Sequence, residues 1–157
     1  MENLKYTLDQ VNGWIRTADQ KAMILGSFNI TGFIYQLINI DKLVQGSDYV
    51  LILGTLSIIS TFLALFLWLR ILYPKLDNKV KKSKIYFGHI FNAYESDINT
   101  GIEELQNISD EEFKKDLASQ IIINSIIAQK KYVDIRSFIW VFGIQLLTIL
   151  FILISIN

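Results

Sequence analysis

The amino-acid sequence predicts an all-α membrane protein: three transmembrane helices with a cytoplasmic antiparallel helical hairpin between the second and third. Three observations lead there. Long runs of the chain carry no charged side chain. The stretch between the last two runs is rich in lysine and repeats its apolar residues at helical spacing. No segment alternates with the period of two that marks a half-buried strand. Composition agrees, since 52% of residues are hydrophobic and only 19% are charged, against roughly 25% charged in soluble domains. The expected division is 1–21, an amphipathic cytoplasmic helix; 22–73, a transmembrane hairpin of two spans; 74–136, the cytoplasmic helical hairpin; and 137–157, the third transmembrane helix.

Ahead of the first span, Leu4, Leu8, Val11 and Ile15 recur at helical steps, so an amphipathic helix is expected, either ending at the span or running into it unbroken. The segment up to Asp19 mixes both signs of charge and lacks a basic start followed by an apolar core. The first span is therefore expected to be retained rather than cleaved as a signal. The spans run from about Ala22 to Ile40, Tyr49 to Leu69 and Ser137 to Ile156. Each is close to the roughly 20 apolar residues that cross a bilayer core as a helix. In lipid the backbone must satisfy itself, which leaves helix as the state of such a segment. Span one is the most polar, holding Ser27, Asn29, Thr31, Tyr35, Gln36 and Asn39. Its polar side either faces neighbouring helices or, through Asn29 and Gln36 on one face, lines a water path. Span two has a small-residue side of Gly54, Ser57, Ser60, Thr61 and Ala64, suited to close helix contact and expected to serve the contact between copies of the chain.

Positive charge sets the orientation. Arg70, Lys75, Lys79, Lys81, Lys82 and Lys84 follow span two, and Lys130, Lys131 and Arg136 precede span three. The 70–136 segment and the amino terminus are thus expected in the cytoplasm and the carboxyl terminus outside it. Pro74 marks a stop or bend, and Asp77 to Ser83 reads as a lysine-rich connector held at an anionic lipid surface. Beyond it, Phe87, Phe91, Tyr94, Ile98, Ile102 and Leu105 form one helical stripe. Ser109 to Glu112 has the form of a capping box, with acidic residues suited to a helix start. No breaker follows before span three, so one helix of about 45 residues and about 70 Å is expected to enter the membrane.

Whole classes of chemistry lack their residues. With no cysteine, disulfides, thiolate metal sites and a thiol nucleophile are excluded. Fifteen basic and fifteen acidic residues cancel, leaving no field to favour a nucleic acid polymer. There is no glycine-rich phosphate loop, paired histidine or triad set, so no catalytic residues, no metal site and no enzymatic activity are expected. His89, the single histidine, reads as a packed or interfacial side chain.

The segment Trp14 to Ala22 stands at the cytoplasmic edge of span one. Trp14, Arg16 and Lys21 suit a headgroup layer, whereas Asp19 does not and calls for a cationic partner, Arg136 or Lys131. Depth selects Arg136, which precedes span three by one residue, and the expectation is an Asp19–Arg136 tether. Asp19, Lys21 and Arg136 are then the candidate gating residues.

Trp14 with Ala18-Asp19-x-Lys21-Ala22 before the first span resembles the Pycsar effector family of small bacterial membrane proteins. Pro74, Ile85-Tyr86-Phe87-Gly88-His89-Ile90, Leu117-x-x-Gln120-Ile121, Ser125-x-Ile127 and Lys131-Tyr132-x-x-Ile135-Arg136 extend the resemblance along nearly the whole chain in the family's order. The resemblance implies antiphage defence. A partner nucleotide cyclase makes a cyclic nucleotide on infection, and the effector responds by impairing the inner membrane, causing abortive infection. A cyclic pyrimidine mononucleotide is the leading expectation for the activating ligand, with cyclic oligonucleotides the alternative. No cofactor is expected; the lipid bilayer and further copies of the chain, as a homo-oligomer, are the other partners. The chain has no β-rich nucleotide-binding module, so the helices themselves or a partner protein must read the ligand. A nucleotide site needs cations, an aromatic face and polar edge groups. The candidates are Trp14, Arg16, Tyr86, His89, Asn124, Lys131 and Arg136. Two other readings stand beside this one: a structural or regulatory membrane subunit without a ligand, and an enzyme acting on lipid headgroups, for which clustered acidic metal ligands are missing.

Overall fold

The computed structural model describes residues 1–73 and 83–156, with the side chains of Phe87, His89 and Ile156 outside the description. Pro74 and the connector through Lys82 also lie outside the described residues. All regular structure among the described residues is helical: α1 (Glu2–Ile38), α2 (Ile40–Gln45), α3 (Asp48–Leu72), α4 (Phe87–Tyr94), α5 (Ile98–Gln106) and α6 (Asp110–Ile156). Two of these, α3 and α6, are long and apolar enough to cross a membrane.

The amphipathic start and the first apolar stretch form one unbroken helix, α1, of 37 residues. The final helix α6 has 47 residues, matching the expected length. Its start is held by Ser109, whose Oγ accepts from the Glu112 amide at 3.2 Å, the serine half of the capping box. The expected single helix from Tyr86 to Leu105 is instead two, α4 and α5. Asp97 is the cause. Its carboxylate accepts from the Thr100 amide at 3.1 Å and the Thr100 hydroxyl at 2.7 Å, so it caps a new helix rather than continuing the old one. The apolar periodicity runs through the break, which hides it in the sequence. Asp97 is held below the ordinary aspartate range, chiefly by the Thr100 hydroxyl and then its amide.

The chain divides into two compact units. The first comprises Met1–Arg16 and Lys75–Gln129. Here α1 and α6 run in the same direction, with Lys5 over the Phe113 ring and Asn124 donating to Asn12 at 2.8 Å. Val11, Leu117 and Ala128 are buried. Asp116 accepts from the Ser83 hydroxyl at 3.1 Å and the Lys84 amide at 2.7 Å, fixing the chain that leads into α4.

The second unit comprises Thr17–Pro74 and Lys130–Asn157. Within it, α3 runs antiparallel to both α1 and α6. Trp68 donates to the Ala22 carbonyl while Gln36 reaches Ser57, and Lys131 reaches the Ile71 carbonyl while Gln145 reaches Thr61. One apolar cluster, Ala18, Ala22, Ala64, Leu67, Ile71, Ile135 and Phe138, fills one end. A smaller cluster of Leu43, Val50 and Ile152 fills the other, with α2 contributing Leu43. The outer faces are apolar: Phe28, Ile52, Phe62, Phe66, Leu147 and Ile154 are exposed. Gly26 makes room for the Trp68 side chain. A Cβ there would lie 2.3 Å from the Trp68 indole nitrogen, the same indole that bonds the Ala22 carbonyl at 2.9 Å.

The small-residue side of α3 is used inside this unit. Gly54, Ser57, Ser60, Thr61 and Ala64 are all buried. Gly54 faces Leu43, and Ser57 and Thr61 face Gln36. Close packing was the correct expectation, but the partners are helices of the same chain.

Candidate functional site

Two polar centres join the three long helices of the second unit. The first is Lys131, whose ammonium donates to the Asp19 carboxylate and, at 2.8 Å, to the Ile71 carbonyl near the end of α3. One side chain of α6 thus holds α1 and α3. The Lys131 side chain is 5% exposed and that of Asp19 is 38% exposed, so the pair has one dry member and one that reaches solvent. A buried ammonium needs such partners, because an unpaired charge away from water is strongly unfavourable. A second pair, Arg70 with Asp134 at 3.0 Å, ties α3 to α6 nearby in sequence. Lys21 lies over the Tyr132 ring, 5.4 Å from its centre.

The expected tether therefore exists with a different cation. Asp19 pairs with Lys131, and Arg136 is exposed. Depth along α6 suits either cation, and azimuth decides between them. Lys131, Ile135 and Phe138 share the buried face at steps of four and three. Arg136, five residues past Lys131, turns about 140° away from it at 100° per residue.

The second centre is the Thr61 hydroxyl. It accepts from the Gln36 amide at 3.1 Å and the Gln145 amide at 2.8 Å, and it donates to the Ser57 carbonyl at 3.0 Å. That uses both lone pairs and the single proton. Gln36 also donates to the Ser57 hydroxyl at 2.8 Å. Asn29, one face up α1 from Gln36, is 1% exposed. Thr148 is buried one turn past Gln145. The Asn29 Oδ1 and Gln145 Oε1 oxygens are buried with no hydrogen-bond partner among the described residues. Asn29 and Gln36 thus face neighbouring helices, whereas Ser27 and Thr31 of the same span are exposed. Asn29 and Gln36 stand out in span one, whereas Gln145, the lone amide side chain in the uncharged run from Ser137 to Ile156, is not singled out by the sequence pattern.

Of the other candidates, Trp14 and Arg16 are exposed on α1 in the first unit. Tyr86 precedes α4, its amide donating to the Ser83 hydroxyl at 3.0 Å, and Asn124 bonds Asn12. The His89 side chain lies outside the described residues. No group of three or more metal-ligating side chains occurs among the described residues.

The chain matches the Pycsar effector protein domain over residues 3–156, nearly its whole length. It belongs to the Pycsar effector family. The family match and the apolar helices α3 and α6 make it an antiphage effector transmembrane protein, located in a membrane. No curated protein and no solved structure matches the chain.

Proposed function

We propose that this Pycsar effector senses a cyclic nucleotide, a cyclic pyrimidine mononucleotide above all, and answers by making the bacterial inner membrane leaky, so that growth stops before phage mature. The family match across residues 3–156 carries this reading. The second unit supports it in physical terms. A membrane-embedded helix bundle whose only function was anchorage would be expected to be apolar throughout. This one buries amides and hydroxyls at its centre, groups that are costly in a bilayer and mark function there.

In the proposed topology α1 crosses the membrane with α3 and α6. The same three helices meet from Asp19 and Lys131 at one end to Gln36, Thr61 and Gln145, and beyond these Val50 and Ile152 pack against Leu43 of α2. The lysine-rich flanks support a topology with the amino terminus in the cytoplasm and the carboxyl terminus in the periplasm. A nucleotide phosphate is a natural competitor for Asp19 at Lys131, since both are oxyanions seeking the same ammonium. Displacing Asp19 frees α1 from α6, and the effect follows if ligand binds that arrangement more tightly. Several copies are required, because three packed helices enclose no room for solutes. Their contact uses faces other than the small-residue side of α3.

The test is calorimetric titration of detergent-purified protein with a panel of cyclic mono- and oligonucleotides, paired with dye release from liposomes containing it. Saturable heat and ligand-dependent release from one member of the panel are expected. Heat without release would remove the membrane-impairing role, and no heat across the panel would remove the sensing role. A reporter fused at Asn157 is expected outside the cytoplasm and one at Asn107 inside it.

A further inference from the structure

We propose that the wetted wall of the leak is the polar seam now buried inside the three-helix bundle, and that the outer faces stay against lipid. The inference rests on the function proposed above and adds where water and small hydrophilic solutes pass. The seam comprises Asn29, Gln36, Ser57, Thr61, Gln145 and Thr148, drawn from α1, α3 and α6.

Three observations carry it. The seam holds two buried acceptor oxygens, Asn29 Oδ1 and Gln145 Oε1, without a partner among the described residues, so it retains hydrogen-bonding capacity that water would fill. Next, the seam lies between two apolar clusters. Ala64 and Phe138 lie beyond Thr61 towards one end, and Leu43, Val50 and Ile152 lie beyond Ser57 towards the other. Apolar constrictions on either side of a polar stretch keep a path dry until they separate. Lastly, the outer faces offer nothing comparable. The exposed hydroxyls of Ser27, Thr31 and Thr55 each bond a carbonyl one turn back on their own helix, at 2.9, 3.0 and 2.9 Å. A path lined by the outer faces would be walled by Phe28, Ile52, Phe62 and Leu147. When the bundle opens, the seams of neighbouring copies together supply a polar wall that the closed bundle hides.

The chain has no cysteine, so single thiols report without background. Ser57→Cys and Thr55→Cys are near-isosteric and two residues apart, yet Ser57 is buried in the seam and Thr55 is exposed on the outer face. Each variant is reconstituted in liposomes and treated with a charged, membrane-impermeant methanethiosulfonate. Treatment is repeated at rest, with each member of the cyclic nucleotide panel, and in a Lys131→Met background, where Asp19 is already released without ligand. Because only a hydrated thiolate reacts, leaking liposomes should label Ser57→Cys about tenfold or more faster than Thr55→Cys, with both slow at rest. Leak with Ser57→Cys silent, or with Thr55→Cys labelled as fast, would overturn the seam and leave the sensing role standing. Liposomes that stay tight under every condition would overturn the seam and the leak together.

Discussion

Lys131 and Thr61 perform the same task with opposite chemistry. Each reaches from one helix to two others and joins α1, α3 and α6. Lys131 does so with a charge whose counter-ion, Asp19, is 38% exposed. Thr61 does so with a neutral hydroxyl among amides that are fully enclosed. The difference is one of access to water. A carboxylate that keeps part of its hydration offsets the cost of drying the ammonium, whereas in the dry middle of the bundle only neutral groups are tolerable. The charged centre is thus the one that an ion from solution can reach, and the neutral centre can change only when the helices part.

The largest expected effect breaks the charged centre from its wet side. Asp19→Ala leaves a buried ammonium holding only the Ile71 carbonyl, at a cost of about 3 kcal/mol. Lys131→Met leaves a carboxylate that can rehydrate, so its cost should be smaller, about 2 kcal/mol. Thermal unfolding in detergent measures the order, and equal losses would show that Asp19 is as dry as Lys131. A charge-swapped Asp19→Lys, Lys131→Asp protein should recover part of the loss. Arg136→Ala, at an exposed position, should stay within about 0.5 kcal/mol of the parent.

At the neutral centre, Thr61→Val keeps the shape and removes the hydroxyl, leaving the Gln145 amide donor without its acceptor. A loss of about 2 kcal/mol is expected, with no dependence on salt. The charged centre should weaken in high salt where Asp19 meets solvent. Salt titration of both variants separates the two.

Gly26→Ala tests the packing between the centres. The added methyl meets the Trp68 indole, which must shift and loosen its bond to Ala22, for about 1.5 kcal/mol. Tryptophan fluorescence reports the shift.

The smallest effect lies in the first unit, at the local cap that starts α5. The Asp97 carboxylate is depressed by Thr100. Its contribution is in place above the ordinary aspartate range and is lost as pH falls through the depressed native value. Lower amide protection in α5 on acidification, taken relative to the intrinsic exchange rate at each pH and absent in Asp97→Asn, is expected. Equal protection at both pH values would show that α5 holds without its cap.

The sequence by itself determined the helical class, the length of α6 and the shared face of Asn29 and Gln36 on α1. Each follows from hydrophobic periodicity, missing breakers and the backbone's need to satisfy itself in lipid, which are local properties of the chain. It also placed Asp19 at the right depth with a cation to meet. The tertiary structure alone decided that the cation is Lys131 rather than Arg136, because a partner depends on which face of α6 turns inward. It decided that Gly54, Ser57 and Ala64 meet helices of their own chain, since a small-residue face suits any close neighbour. It broke α4 from α5, where a local cap at Asp97 prevailed over a periodicity that runs straight through it. Gln145 became visible only when three helices brought Gln36, Thr61 and Gln145 to one hydroxyl, for a lone amide in an apolar run acquires meaning from its partners.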